Sequence, residues 1–520
     1  MRFGAILFGA FLVPTGHARS LLHLHGVKQH LIVLQKTKTH SGHWLIRICR
    51  IGKAKSQSVP FTTMQGWEGG VANATKQSTP LEELQEQFAM IDLSGEIRYV
   101  DQTQIKGILS GQISGEPAFY KKTDVTLLMK RALEKRPYPC KPQVVINEFW
   151  IAPETTVYQG TGFTPYPSSP SMLNFWVGPI EPDSNGSALL ILNHLLKVIC
   201  SGDTISFEYL IGYLAHMIQK PAEKPGVMIV LLGRQGTGKG MFFNLLRAIW
   251  PRTTLQVTDV DQVVGRFNAC LERNFAVCMD EALFAGDRKA LDRLKSQITE
   301  PQINIEQKYQ PARSIGSVHR FFAASNHDHF AHVEMDDRRF VFLRVSDVYQ
   351  QNTNYFAQLV SAINDPAAVG AFVYYLQCVD ISSFEVRKKP KTNEHLAQKI
   401  KSLQGFQRYW YEVLLSGNFD AGVSRYTEGD EWSVPTFIPT SELIKEYTLF
   451  NKNAQRHQTV QSAEVVADVQ KLCPSAIAAR KLCKQGHLAP KVQRRGLQLP
   501  DLTTARAEFE KTIGGTIQWT

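Results

Sequence analysis

Residues 226–245 read GVMIVLLGRQGTGKGMFFNL, and no other stretch constrains the fold as much. An apolar run at 227–232 meets a Gly-rich turn of Gly233, Arg234, Gln235, Gly236, Thr237, Gly238, Lys239 and Gly240, which leads into a helix-compatible segment. Backbone N–H groups in such a turn, with the first turn of the helix behind it, form a concave anion site. Glycine serves where the backbone takes positive φ or approaches a ligand closely. Lys239 adds a mobile point charge for the β- and γ-phosphates of a nucleotide. The match to G-x-x-x-x-G-K-[ST] is complete except at its last position, where Gly240 replaces the hydroxyl that normally helps hold Mg²⁺. The run reads as strand, phosphate loop and helix of an NTP site.

Downstream, 275–279 is apolar and ends at Asp280 and Glu281, 41 positions after Lys239. At the C-terminal edge of a strand, two carboxylates face the place where open α/β sheets bind ligands. Asp280 suits the Mg²⁺ shell, and Glu281 suits orienting and deprotonating an attacking water. The run 320–325 ends in Asn326, an amide that can sense the γ-phosphate or hold the water beside Glu281. Asp336, Asp337, Arg338 and Arg339 precede a strand expected over 340–345. An arginine there can act as a finger, reaching into a neighbouring subunit's site. Between these runs, 303–308 alternates, turns at 309–312 and resumes at Arg313, the signature of a β-hairpin.

This ordered set resembles the superfamily 3 helicases, ring-forming AAA+-like motors of viruses, phages and plasmids. More narrowly, the stretches GRQGTGKG, GRFNACLERNFAVCMDEALFAGDRKALDRLKSQITEP, INIEQKY, FFAASN and DDRRFVFLRVSD resemble the helicase domain that accompanies primase-polymerases in phages and mobile elements. The resemblance runs from about 147 to about 414 and continues more weakly to the C-terminus. It implies an AAA+-like P-loop NTPase core with a parallel sheet, ATP and Mg²⁺ as cofactors, and a homo-oligomeric ring, a hexamer. The family tolerates glycine at the position of Gly240. Its hairpin projects into the ring channel and grips the DNA backbone, which makes Lys308 and Arg313 the expected contacts. The implied activity is ATP-dependent unwinding of single-stranded or forked DNA in phage, plasmid or prophage replication. Two rival readings are a nucleotide-gated initiator that binds an origin without processive unwinding, and a small-molecule P-loop kinase.

The chain divides by composition. Residues 1–75 form a basic leader: Asp and Glu are absent before Glu68, while Arg and Lys recur from Arg2 to Lys55. Its apolar start looks like a secretory signal but is too short to span a bilayer. We read the leader as an upstream extension from a misplaced start codon, with a basic DNA-binding arm or a true signal as alternatives. Residues 76–146 are a small α/β or helical region, in which Ser78, Thr79 and Pro80 mark a helix start. A helical region at 147–225 leads into the core at 226–350, and a helical extension and linker follow at 351–431. Within that extension, the pattern running on across 393–416 predicts one long amphipathic helix. Residues 432–520 read as a small winged-helix-like domain, with Arg494 and Arg495 on a hairpin wing as DNA contacts.

Net charge is +11 and the isoelectric point is near 9.1, which favours a polyanionic partner. Eight scattered cysteines form no C-x-x-C pair, so a reducing, intracellular setting fits; the resemblance implies the cytoplasm of a bacterial host, with no membrane partner. His327, His329 and His332 with Glu334 have the composition of a metal set but lack a nearby cysteine. Lys295 is placed either in the nucleotide site or against the acidic loop. The residues before 147 are too few for a primase-polymerase domain, and Asp92, Glu96 and Asp101 form no metal triad. No primer synthesis is therefore expected from this chain alone, with a primase encoded separately or lost.

Overall fold

The computed structural model describes residues 78–519 except 94, 138, 283, 285–286, 309–311, 328, 335–336, 420–431, 454–461 and 484–490, and the backbone of three strands within 19–50. Those strands, β1 (Arg19–Leu22), β2 (Ile32–Lys38) and β3 (Trp44–Arg50), pair antiparallel in sequence order. The rest of the basic leader lies outside the described residues.

A mixed α/β unit follows: α1 (Pro80–Gln87), β4 (Phe88–Leu93), β5 (Glu96–Asp101), α2 (Gln102–Ser110), α3 (Lys122–Glu134), α4 (Pro142–Ile151) and β6 (Val157–Tyr158). Its sheet has the order β5-β4-β6. The start signal at 78–80 is a capping box, in which Thr79 Oγ1 accepts from the Glu82 N–H at 3.2 Å and Glu82 Oε2 accepts from the Thr79 N–H at 2.7 Å. The three acids have local tasks. Asp92 accepts from the Gly95 N–H, Glu96 pairs with Arg98, and Asp101 caps α2. A short parallel pair, β7 (Thr161–Gly162) and β8 (Leu173–Asn174), leads to α5 (Leu189–His194), a π-helical turn at Leu195–Ile199, and α6 (Thr204–Gln219). The apolar stretch 187–219 thus breaks at 201–203, where Asp203 caps α6.

The central layer contains β9 (Met228–Leu232), α7 (Lys239–Ile249), β10 (Thr254–Val257), α8 (Asp261–Val264), β11 (Ala276–Met279), α9 (Arg288–Thr299), the antiparallel hairpin β12 (Gln302–Ile305) and β13 (Arg313–Gly316), β14 (Arg320–Ser325) and β15 (Phe340–Arg344). Five of these strands form one parallel sheet in the order β10-β11-β14-β9-β15. Both faces are covered, which is why β9 is apolar at every position. Ile229 and Leu231 pack with α6 and α7 residues such as Leu214 and Phe242 on one side, while Met228, Val230 and Leu232 pack with Leu291 and Phe330 on the other. Then come α10 (Thr353–Asn364) and α11 (Pro366–Cys378), which joins α6 in the first of these cores. Among the described residues no single helix is long and apolar enough to cross a membrane.

The C-terminal part is α12 (Asn393–Ser402), α13 (Gly405–Ser416), β16 (Thr436–Pro439), α14 (Thr440–Asn453), α15 (Ser462–Leu472), β17 (Ile477–Cys483), β18 (Val492–Leu499) and α16 (Leu502–Ile513). The single long helix expected over 393–416 is two helices. Leu403 and Gln404 leave helical geometry, and Gly405 at φ +56° restarts the chain in a new direction. The break lets Leu403, Phe406 and Trp410 bury against Trp432, Leu443, Leu497 and Phe509. The core of the tail therefore takes in α13 as well as the residues after 432. Its three strands pair antiparallel in the order β16-β18-β17.

Candidate nucleotide-binding site

The loop at 233–238 leaves β9 at the C-terminal edge of the sheet. Gly236 and Gly238 take φ values of +76° and +101°, which L side chains rarely adopt. Gly238 is doubly constrained, because a Cβ there would lie 2.9 Å from Cε1 of buried His194 and 3.1 Å from the Phe356 ring. Thr237 Oγ1 donates to the Arg234 carbonyl at 2.8 Å and tightens the turn. Outside the turn, Gln350 donates to the Gln235 carbonyl at 2.8 Å, and Arg234 lies 3.6 Å from Asp347.

Lys239 opens α7, and its Nζ donates three bonds of 2.7 Å, to the carbonyls of Gly233 and Arg234 and to Asn326 Oδ1. Burial pushes its pKa below the usual lysine range, while the charges of Asp280 and Glu281 oppose that shift. The ammonium is thus held inside the loop by three neutral acceptors. Gly240 is exposed, with no atom within 4 Å of the place a Cβ would occupy. Its missing hydroxyl leaves open space rather than a packed surface.

Asp280 and Glu281 follow β11, two strands from β9, and Asn326 follows β14 between them. Because these strands run parallel, all three residues emerge on the edge that carries the loop. Asp280 accepts from Gln256 Nε2 at 3.0 Å on one oxygen and from the Glu281 N–H at 3.1 Å on the other. Glu281 is exposed and sits at φ +53°, a left-handed conformation that costs a residue with a Cβ about 1–2 kcal/mol. The structure therefore gathers Lys239, Asp280, Glu281 and Asn326 in one place.

The other sequence-derived residues are distributed elsewhere. Arg338 is exposed, while Arg339 is half-buried and its carbonyl accepts from the Met228 N–H at 2.8 Å. Asp337 is paired with Lys389, 3.1 Å away on a linker, with its side chain almost wholly buried. On the hairpin, Arg313 is bonded to Glu272, and Lys308 Nζ lies 5.7 Å from the centroid of the Phe267 ring. The hairpin tip lies outside the described residues. Lys295 lies 2.9 Å from Glu334. His329 is 3.2 Å from Ser402 Oγ, and among the described residues no group of three or more His, Cys, Asp or Glu is placed to share an ion. Arg494 and Arg495 lie on β18 in the tail.

Sequence reasoning missed the residues behind the site. His194 Nδ1 lies 2.9 Å from the Tyr355 hydroxyl, beneath Gly238, and burial lowers its pKa to about 4 against a small opposing effect from the Gly238 backbone. Nothing in an apolar helix such as α5 announces contact with a loop some 40 residues on. Gln256 and Arg247 were equally silent, since a half-buried polar residue on an edge strand and an exposed one on a helix have no distinctive pattern.

Strand order, loop and acidic edge together define a mixed α/β protein with a five-stranded parallel sheet and a lysine-bearing Gly-rich loop at its C-terminal edge. Within it, residues 231–339 match a family of unknown function, DUF5906. Over 203 residues the chain is 27% identical to a DNA primase-polymerase of Nitratiruptor phage NrS-1, an alignment covering 38% of this chain and 28% of that protein. The chain therefore matches less than a third of the length of this curated relative. Two solved apo structures of the NrS-1 C-terminal region share its fold. One has a TM-score of 0.57 at 16% identity, covering 80% of this chain and 98% of that one. The other has a TM-score of 0.56 at 17% identity, covering 81% and 99%.

Proposed function

We propose that this chain is a phage-type replication protein whose central layer is an AAA+-like P-loop ATPase of the superfamily 3 class, acting as a ring-forming DNA helicase. The observation that carries the reading is the meeting of Lys239 and Asn326 at 2.7 Å inside the Gly-rich loop, on the edge where Asp280 and Glu281 emerge. Likeness to a phage primase-polymerase over 203 residues supports the replication setting.

In this reading Lys239 exchanges its two carbonyl partners for the β- and γ-phosphate oxygens of ATP, a gain because the new acceptors are charged. Asn326 orients the water that Glu281 deprotonates, and Arg338 from a neighbouring subunit offsets charge on the transferred group. Asp280 would hold Mg²⁺, which would neutralise phosphate charge, and Gly240 brings no hydroxyl to it. Lys308 and Arg313 grip the DNA backbone from the hairpin without reading sequence.

The tail supports a winged-helix-like DNA-binding reading in its own way. Arg480 stands directly opposite Arg495, and Lys481 opposite Arg494, across β17 and β18. Consecutive rungs face opposite sides of the sheet, and Arg494 on the second is 3.3 Å from Glu442, so the exposed Arg480–Arg495 rung is the one whose like charges favour a polyanion on its face.

The deciding experiment measures ATP hydrolysis with and without single-stranded DNA, and then unwinding of a forked duplex. DNA-stimulated hydrolysis with unwinding is expected. Hydrolysis without unwinding leaves an initiator. Unstimulated phosphoryl transfer to a small acceptor leaves a kinase, and no hydrolysis at all ends the enzyme reading.

A further inference from the structure

Asp280 is approached from an unexpected direction. It lies two residues beyond Cys278 along the chain of β11, and so on the same face of the sheet, the face that α7 covers. On that face a chain of side chains runs back to α7. Gln256 Nε2 donates to Asp280 Oδ2 at 3.0 Å, Gln256 Oε1 accepts from the Arg247 guanidinium at 2.6 Å, and Arg247 also donates to Asn244 Oδ1 at 3.4 Å. Gln256 is on β10, the strand beside β11, with its Cα opposite Cys278.

The chemistry of this chain is selective. An amide is the uncharged group that accepts from a guanidinium with one end and donates to a carboxylate with the other. A direct arginine–carboxylate pair would neutralise Asp280 and compete with a cation for its oxygens. With Gln256 interposed, the positive charge of Arg247 fixes the amide, and the amide fixes the plane of the carboxylate, while the negative charge of Asp280 stays uncommitted. Because Gly240 brings no hydroxyl to the ion, more of the ion's affinity rests on the aim of Asp280.

We propose that Gln256 and Arg247 are positioning residues that aim the Asp280 carboxylate and thereby set the divalent-cation affinity of the nucleotide site. This rests on the reading of that site as an ATP site. Partners of metal ligands typically change cation affinity by about 10- to 100-fold when removed.

The test is a Mg²⁺ titration of fluorescent ATP-analogue binding to the full chain, compared with binding in EDTA. Gln256→Ala and Arg247→Ala should each raise the Mg²⁺ concentration at half-effect by about tenfold or more, with binding in EDTA unchanged. Gln256→Glu should behave still worse, because it sets a carboxylate against Asp280, whereas Arg247→Lys should recover part of the effect. Arg247 is exposed, so its variants report even where a change on the edge strand lowers stability. Midpoints within twofold of the unaltered chain in both alanine variants would overturn the proposal alone. Failure of the unaltered chain to bind nucleotide would overturn both the proposal and the site reading beneath it.

Discussion

Lys239 and Asn326 are 87 residues apart in the chain and 2.7 Å apart in space, with the lysine ammonium donating to the amide oxygen. The contact exists because β14, which ends just before Asn326, lies beside β9, which feeds the loop. It leaves the lysine held by neutral acceptors alone. Lys239→Ala should abolish nucleotide binding and hydrolysis together. Asn326→Ala should keep binding and lower turnover by about 10²-fold, the usual loss for one pre-aligned polar group. Asn326→Asp differs again: its carboxylate would pair with the lysine and weaken nucleotide binding. Equilibrium binding with turnover measured in parallel distinguishes the three.

Glu281 holds a left-handed backbone at φ +53° without being glycine. Such strain in an exposed residue at the acidic edge is consistent with selection for chemistry rather than stability. Glu281→Gln should retain ATP and lose hydrolysis. Glu281→Gly should also lose hydrolysis while leaving folding stability unchanged or raising it by up to about 1 kcal/mol, since glycine escapes the left-handed penalty. Urea unfolding measures this, and a clear loss of stability in the glycine variant would contradict it.

Arg338 is exposed, whereas the neighbouring Arg339 is tied to β9 through its carbonyl. A finger in trans contributes about 10³ to 10⁵ in turnover in other phosphoryl-transfer enzymes. Arg338→Ala should therefore bind nucleotide but not hydrolyse it. Mixed with Lys239→Ala subunits it should regain some activity, because each variant supplies what the other lacks at a shared interface. If mixed rings form and stay inactive, the role passes to Arg339.

Stability should fall on acidification through a defined window. Burial holds His319 at about 4 against its ordinary 6.5, with the charges of Lys224 and Arg320 acting in the same direction and a bond to the Leu271 carbonyl opposing them. Its ring is committed to Ser317 and to that carbonyl. His194 is lowered to about 4 by burial in the same way. Between these values the unfolded chain carries protons that the folded chain excludes, so unfolding takes protons up. Stability is full above about pH 6.5 and declines as pH falls toward 4. Thermal melting from pH 7.5 to 4.5 should show that decline, and His319→Gln should flatten part of it at the cost of a lower melting temperature at pH 7.5.

Much of the site was legible because its chemistry is local. Positive φ at Gly236 and Gly238, a lysine directly behind them and an apolar strand directly before them are properties of neighbouring residues. The same holds for the Thr79 capping box and the alternation that predicted the β12–β13 hairpin. Asp280 and Glu281 could be placed at a strand end because β11 reads as an unbroken apolar run, the pattern of a strand covered on both faces.

The tertiary structure decided which strands lie side by side, and with them every contact that crosses the chain. The order β10-β11-β14-β9-β15 puts Asn326 beside Lys239 and Gln256 beside Asp280, and nothing local encodes either pairing. Leu403 shows the same limit: a helical pattern ran on through 393–416, yet the chain breaks there because burying Leu403 and Phe406 in the tail outweighs one more turn of helix. Periodicity states that a face must be covered. What covers it depends on long-range packing, and so do His194 beneath the loop, Lys389 against Asp337 and Arg247 behind Gln256.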